Sequence, residues 1–300
     1  MNARLMDMAL GLGVAMVWGI GLVFAKAAIA HFPPILLMAF RFSVTALALV
    51  WFIKPSGGQI RMLLLISFIS ATLQYSLTFT GLSGLEASAT ALIIQLEIPF
   101  LVIIGAIFLK ETPGWRRWVG ITIAFFGVYQ ITGEPRIGNA LWSVVLVIGG
   151  GLTWATGQAM VRHLKDISGL TITAWVAVLA FPQLFVMSAF FETGQLQAIQ
   201  SAGWVVWSTV AYLGLIMTAL GYYMWYTLIR RIPVSEAAPY LLTLPLFSMA
   251  GGRFFLGEIA TIQTLLGGGI IISGIALIVF EPIKKVPQTK PKPTAPPSFP

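Results

Sequence analysis

A chain of 300 residues that is 58% apolar and 9% charged, with a mean hydropathy of +0.90, stands apart from soluble domains, whose charged share is about a quarter. Its formal charge of +8 does not make a nucleic-acid surface, because the Lys and Arg sit at the ends of apolar runs and in the tail instead of interleaving with aromatics on a soluble face. Without cysteine, and with only His31 and His163 far apart, the chain offers no disulfide, thiol nucleophile or metal cluster, and no cofactor is expected.

Apolar runs of about 20 residues, the length of a membrane helix, lie at roughly 7–30, 34–53, 62–82, 86–109, 115–132, 139–161, 170–191, 204–229, 234–256 and 261–280. The first is too long for a signal-peptide core and reads as a retained helix. Ten helices are therefore predicted, with short connections, the longest, around Glu192 to Gly203, having room for a turn but not a domain. With the N-terminus inside, fourteen of the 18 Lys and Arg fall on the inner side, leaving Lys26, Arg41, Arg136 and Arg253 outside. That bias predicts a multi-pass inner-membrane protein with both termini cytoplasmic. The Lys- and Pro-rich segment 283–300 has too little apolar surface to fold and reads as a disordered cytoplasmic tail.

The fourth run carries Gln95 and Glu97 near its middle and Pro99 just beyond, and it ends Phe108-Leu109-Lys110-Glu111. The ninth ends Phe255-Leu256-Gly257-Glu258 and has Pro245 in place of Pro99, but Thr243 in place of Glu97. Gly120 and Gly127 recur as Gly267 and Gly274, at the 147-residue offset that separates Glu111 from Glu258. Trp18-Gly19-Ile20-Gly21 followed by Lys26 is echoed by Trp154-Ala155-Thr156-Gly157 followed by Arg162. With five helices per copy, the second copy enters the membrane upside down. The predicted fold is an all-α integral membrane protein with a repeat at 1–135 and another at 136–282. Inverted repeats of this kind mark alternating-access transporters, with the solute near the midplane at the repeat interface.

These features, together with Pro33-Pro34 leading into Arg41-Phe42, give a chain that resembles the EamA family of the drug/metabolite transporter superfamily over nearly all of residues 5–282. Within it, Val17-Trp18-Gly19, Tyr212-Leu213, Gly221-Tyr222 and Trp225 are similar to the O-acetylserine/cysteine exporter type. The resemblance implies a central cavity lined by helices 1, 3, 4, 6, 8 and 9, open to one side at a time.

A carboxylate inside hydrocarbon costs a few kcal/mol and marks a functional candidate. Glu97 can accept a solute's ammonium or carry a coupling proton; the structural alternative is a partner for a buried Arg or a helix contact. Arg41, inside helix 2, reads as a solute or gating group or as an ion-pair lock between helices, and Lys26 as a residue that snorkels to the headgroups. Gln74, Tyr75, Gln95 and Gln158 are hydrogen-bonding groups in apolar runs and need partners, which a solute or a neighbouring helix supplies. Trp18 and Trp154 lie mid-helix, away from the interfacial belt, and suit a cavity wall. Tyr222 and Trp225 belong to an aromatic cluster of which one side can face inward. Pro99 and Pro245 each break a backbone hydrogen bond and mark flexing points or fixed kinks. Glu111 and Glu258 read as architecture, with Thr112 as N-cap and Pro113 as first residue of helix 5.

The function these features suggest is export of amino acids or related small metabolites through the bilayer by a monomer or weak dimer, with a proton as candidate coupling ion and no nucleic acid as partner. Export of drugs or aromatic compounds is the alternative on the same fold. An integral membrane enzyme would need clustered acid, base or metal groups, and the ten acidic residues are dispersed.

Overall fold

In hydrocarbon a backbone must satisfy its own hydrogen bonds, which in a chain this apolar selects helices. The computed structural model describes residues 3–53, 59–108, 110, 112–133, 140–161, 164, 167–232 and 234–280, and among these every regular element is helical. The basic tail and Glu111 lie outside the described residues. In chain order the elements are α1 (Ala3–Ile29), α2 (Pro34–Leu49), α3 (Ile60–Ser83), α4 (Ala87–Phe108), α5 (Trp115–Thr132), α6 (Leu141–Val161) and α7 (Gly169–Phe191). They continue with the short α8 (Gln195–Ser201), α9 (Trp204–Arg231), α10 (Val234–Leu241), α11 (Leu244–Gly251) and α12 (Ile262–Val279). Eight of them are long and apolar enough to cross a membrane: α1, α2 extended to Phe52, α3, α4, α6, α7, α9 and α12.

Several expectations change at the ends and interruptions of helices. The ninth run is two short helices, α10 and α11, followed by a π-wound turn at Gly252–Leu256. The connection after Glu192 holds the seven-residue α8 and no domain. Helix α5 starts at Trp115 with Gly114 as its N-cap, two residues later than Thr112-Pro113 suggested.

Two kinds of interruption sit mid-helix. In α3 the segment Phe68–Leu73 is π-wound, and in α9 so is Leu213–Leu220. Such turns shift the register of the residues after them and are frequent at functional sites. In α4 the helix stops at Ile94 and restarts at Glu97, and α10 stops at Leu241 with α11 restarting at Leu244. Pro99 and Pro245 lie in the first turns after these breaks, where a missing N–H has no intrahelical partner to lose. They begin new helices rather than kink old ones.

Helix α2 packs on α7, α3 on α6, α1 on both α9 and α11, and α5 on α12. The α5–α12 crossing brings backbones together: a Cβ on Gly127 would stand 2.8 Å from the Gly267 carbonyl, and one on Gly120 would stand 2.5 Å from the Gly274 carbonyl. Small residues at such a crossing let dispersion between the helices act at full strength, the main attraction available where lipid is as apolar as the protein. Pro34 opens α2, and the next amides, Ile35 and Leu36, donate to the carboxylate of Glu192 at 2.7 and 3.0 Å, which fixes α2 to the end of α7.

Candidate functional site

The interruptions converge on a cavity of about 100 Å³, which holds several waters or a small solute. Trp18 and Leu22 come to it from α1, Arg41 from α2, and Gln74, Tyr75, Thr78 and Phe79 from α3. Ile94 and Glu97 come from the two sides of the α4 break, Trp154 from α6, Met217 and Tyr222 from α9, and Leu244 from α11. Helix α2, absent from the wall that the family resemblance implied, contributes the cation. A second cavity of about 40 Å³ adjoins it across Tyr75 and Tyr222 and holds Gln158, Thr173, Thr218 and Tyr226 in its wall.

Arg41 is 1% exposed. Its Nε donates to Thr218 Oγ1 at 2.8 Å, Nη1 lies 3.8 Å from the Met38 sulfur, and the guanidinium sits 4.7 Å from the centre of the Tyr75 ring. No carboxylate among the described residues pairs with it, so the ion-pair lock weighed from sequence is not how this arginine is held. Glu97 packs its stem where a Cβ on Gly151 of α6 would be 3.5 Å away, and its carboxyl has no hydrogen-bond or ion-pair partner among the described residues. Gln74 donates to Thr78 Oγ1 at 3.2 Å, and its Oε1 is buried without a partner. A buried acceptor left unpaired costs about 1–3 kcal/mol, which a bound donor or water recovers. The wall therefore presents one cation, one carboxyl and one free acceptor on an aromatic background.

The remaining candidates separate. Trp18 reaches the cavity, but its indole nitrogen donates to the Met217 carbonyl at 3.1 Å and is not available to a solute. Gln95 donates to the Leu241 carbonyl at 3.0 Å, joining the α4 break to the end of α10, and lies off the cavity wall. Gln158 lies in the second cavity. Trp225 meets Trp18 in a tilted contact with ring centres 6.2 Å apart, outside both walls. Pro99 and Pro245 flank the site through the helix starts. The Nζ of Lys26 donates to the carbonyls of Leu82 and Ser83 at 3.0 and 2.8 Å, capping the C-terminus of α3.

Two groups near the site escape sequence reading. Thr218 looks like any threonine in an apolar run. Gln183 of α7 accepts from Thr72 at 2.7 Å and donates to Ser67 at 3.1 Å, bracketing the π turn of α3. A glutamine next to Pro182 was its one available signal.

A helical membrane protein whose interrupted helices converge on a small polar cavity has the construction of a solute carrier. The chain belongs to the EamA-like transporter family, whose model matches residues 5–133 and 141–280. It is 26% identical over 284 residues, 91% of this chain and 95% of the relative, to an Escherichia coli K12 protein described as a probable amino-acid metabolite efflux pump. It is 25% identical over 234 residues, 75% of each chain, to a probable terminal-alkyne amino-acid exporter of Streptantibioticus cattleyicolor. A crystal structure with 14% identity superposes at a TM-score of 0.62 over 90% of this chain and 95% of the other, a likeness of fold.

Proposed function

We propose that this transporter exports amino acids or related small metabolites across the inner membrane by alternating access, through the central cavity between inverted repeats at 1–135 and 136–282. The observation that carries the reading is the cavity's three open partners: Arg41 without a carboxylate, Glu97 without a cation, and Gln74 Oε1 without a donor, all among the described residues. A zwitterion matches them, its carboxylate toward the guanidinium and its ammonium toward Glu97 and Gln74. The descriptions of the relatives point the same way.

The repeat reading is supported by how helices pair. With α8 set aside and α10 and α11 taken as one helix, exchanging helices 1–5 with 6–10 turns the contact of α1 with α9 into that of α6 with α3. It turns the contact of α1 with α11 into that of α6 with α4, and it maps α2–α7 and α5–α12 onto themselves. The π turns of α3 and α9 exchange, as do the breaks after Ile94 and Leu241. The distribution of basic residues supports cytoplasmic termini.

The test is transport in proteoliposomes of cysteine-related, aromatic and hydroxylated amino acids, with and without a proton gradient. Free amino acids are carried by the wild type, and Arg41→Gln and Glu97→Gln each raise KM about tenfold or more. Loss of gradient dependence in Glu97→Gln with binding intact assigns Glu97 the coupling proton. Carriage of aromatic or drug-like compounds with no amino acid accepted would replace this reading by the second one, which the wall of Trp18, Tyr75, Phe79, Trp154 and Tyr222 favours.

A further inference from the structure

The π turn of α9 releases three groups that an unbroken helix would keep to itself. The Met217 carbonyl accepts from Trp18, and the Gly214 carbonyl accepts from Thr45 Oγ1 at 3.0 Å. The Leu213 carbonyl accepts from the hydroxyl of Thr218 at 2.8 Å, five residues on. A helical threonine ordinarily bonds the carbonyl three or four residues back. Here the wider turn changes its partner and its direction, since one residue of register rotates a side chain by about 100° around the helix.

With its proton committed to Leu213, the Thr218 hydroxyl has a lone pair facing α2, and Arg41 Nε donates to it at 2.8 Å. Thr218 and Arg41 are each 1% exposed. A guanidinium is a planar fork, so fixing Nε while the Tyr75 ring centre sits 4.7 Å from the guanidinium restricts where its terminal nitrogens point. We infer that Thr218 is a positioning residue for solute recognition: held by the π turn, it aims the Arg41 fork at a solute carboxylate in the central cavity. This rests on the reading of that cavity as a zwitterion site.

The experiment uses the full chain in proteoliposomes and the best-carried of L-cysteine, L-serine and L-phenylalanine, each paired with its carboxamide. The wild type prefers the acid over the amide. Thr218→Val keeps the shape and removes the acceptor; it raises KM for the acid about tenfold, with maximal rate and amide KM within about twofold. Thr218→Ser restores the preference. Thr218→Cys, with only a weak acceptor, carries the same expectation as Val and serves if Val does not fold. Equal changes for acid and amide, or a lower maximal rate with KM unchanged, make Thr218 a packing residue and overturn the inference while the cavity reading stands. A wild type that does not distinguish acid from amide overturns the zwitterion reading, and this inference with it.

Discussion

The carboxylate of Glu258 accepts from the amide of Ala87 at 2.8 Å, while its other oxygen takes the amide and hydroxyl of Ser88 at 3.3 and 3.2 Å. A residue just past the π turn at Gly252–Leu256 thereby caps the N-terminus of α4, with Gly257 in the left-handed region (φ 69°) making the turn that brings it there. Lys26 caps the adjacent end of α3, and Ser248 of α11 donates to the Ala87 carbonyl at 3.1 Å. These side chains tie helix ends together at one end of the bundle.

Weakening these ties is expected to expose the cavity from this end. Because the chain has no cysteine, a single Leu22→Cys in the wall is a clean reporter. Glu258→Gln speeds its labelling by an impermeant thiol reagent about tenfold, the effect expected of one charge-assisted hydrogen bond. Unchanged labelling assigns Glu258 no part in covering the cavity.

At the α5–α12 crossing, Gly127→Ala forces two backbones apart. The expected cost is about 1–3 kcal/mol, read as a lower Tm in detergent. The neighbouring Gly269, whose Cβ would meet nothing within 4 Å, tolerates Ala with no loss.

Gln74→Leu separates stability from binding. It removes a buried acceptor without a partner, so Tm holds or rises, while KM for a solute bearing an ammonium group rises about tenfold. A fall in Tm with KM unchanged means that Gln74 serves packing alone.

Trp18→Phe keeps an aromatic wall and deletes the bond to Met217, leaving a carbonyl of the α9 π turn unpaired. The cost is about 1–3 kcal/mol in thermal unfolding. Trp154→Phe, a change in the same cavity wall, provides the comparison.

Much of this was legible in the residues. Glu97 and Arg41 stood out because a charge in hydrocarbon is expensive wherever it lies, and both reach the cavity. The paired breaks were foreshadowed by Pro99 and Pro245. Gln95 read the same as Gln74 and yet took a backbone carbonyl freed by the next helix break. An amide accepts either a solute or a neighbour, and one-dimensional spacing does not distinguish them. Thr218 and Gln183 carried no signal of note, because a hydroxyl or amide beside a π turn differs from others only in where the turn aims it.

The sequence by itself determined that the chain lives in a membrane as helices, and which side chains were too costly there to be without purpose. Hydrophobicity and backbone self-pairing are local properties, additive along the chain. The tertiary structure decided which of those side chains meet and which remain open to a solute. Those outcomes depend on helix breaks and π turns that redirect side chains, and on partners as far apart as Trp18 and Met217.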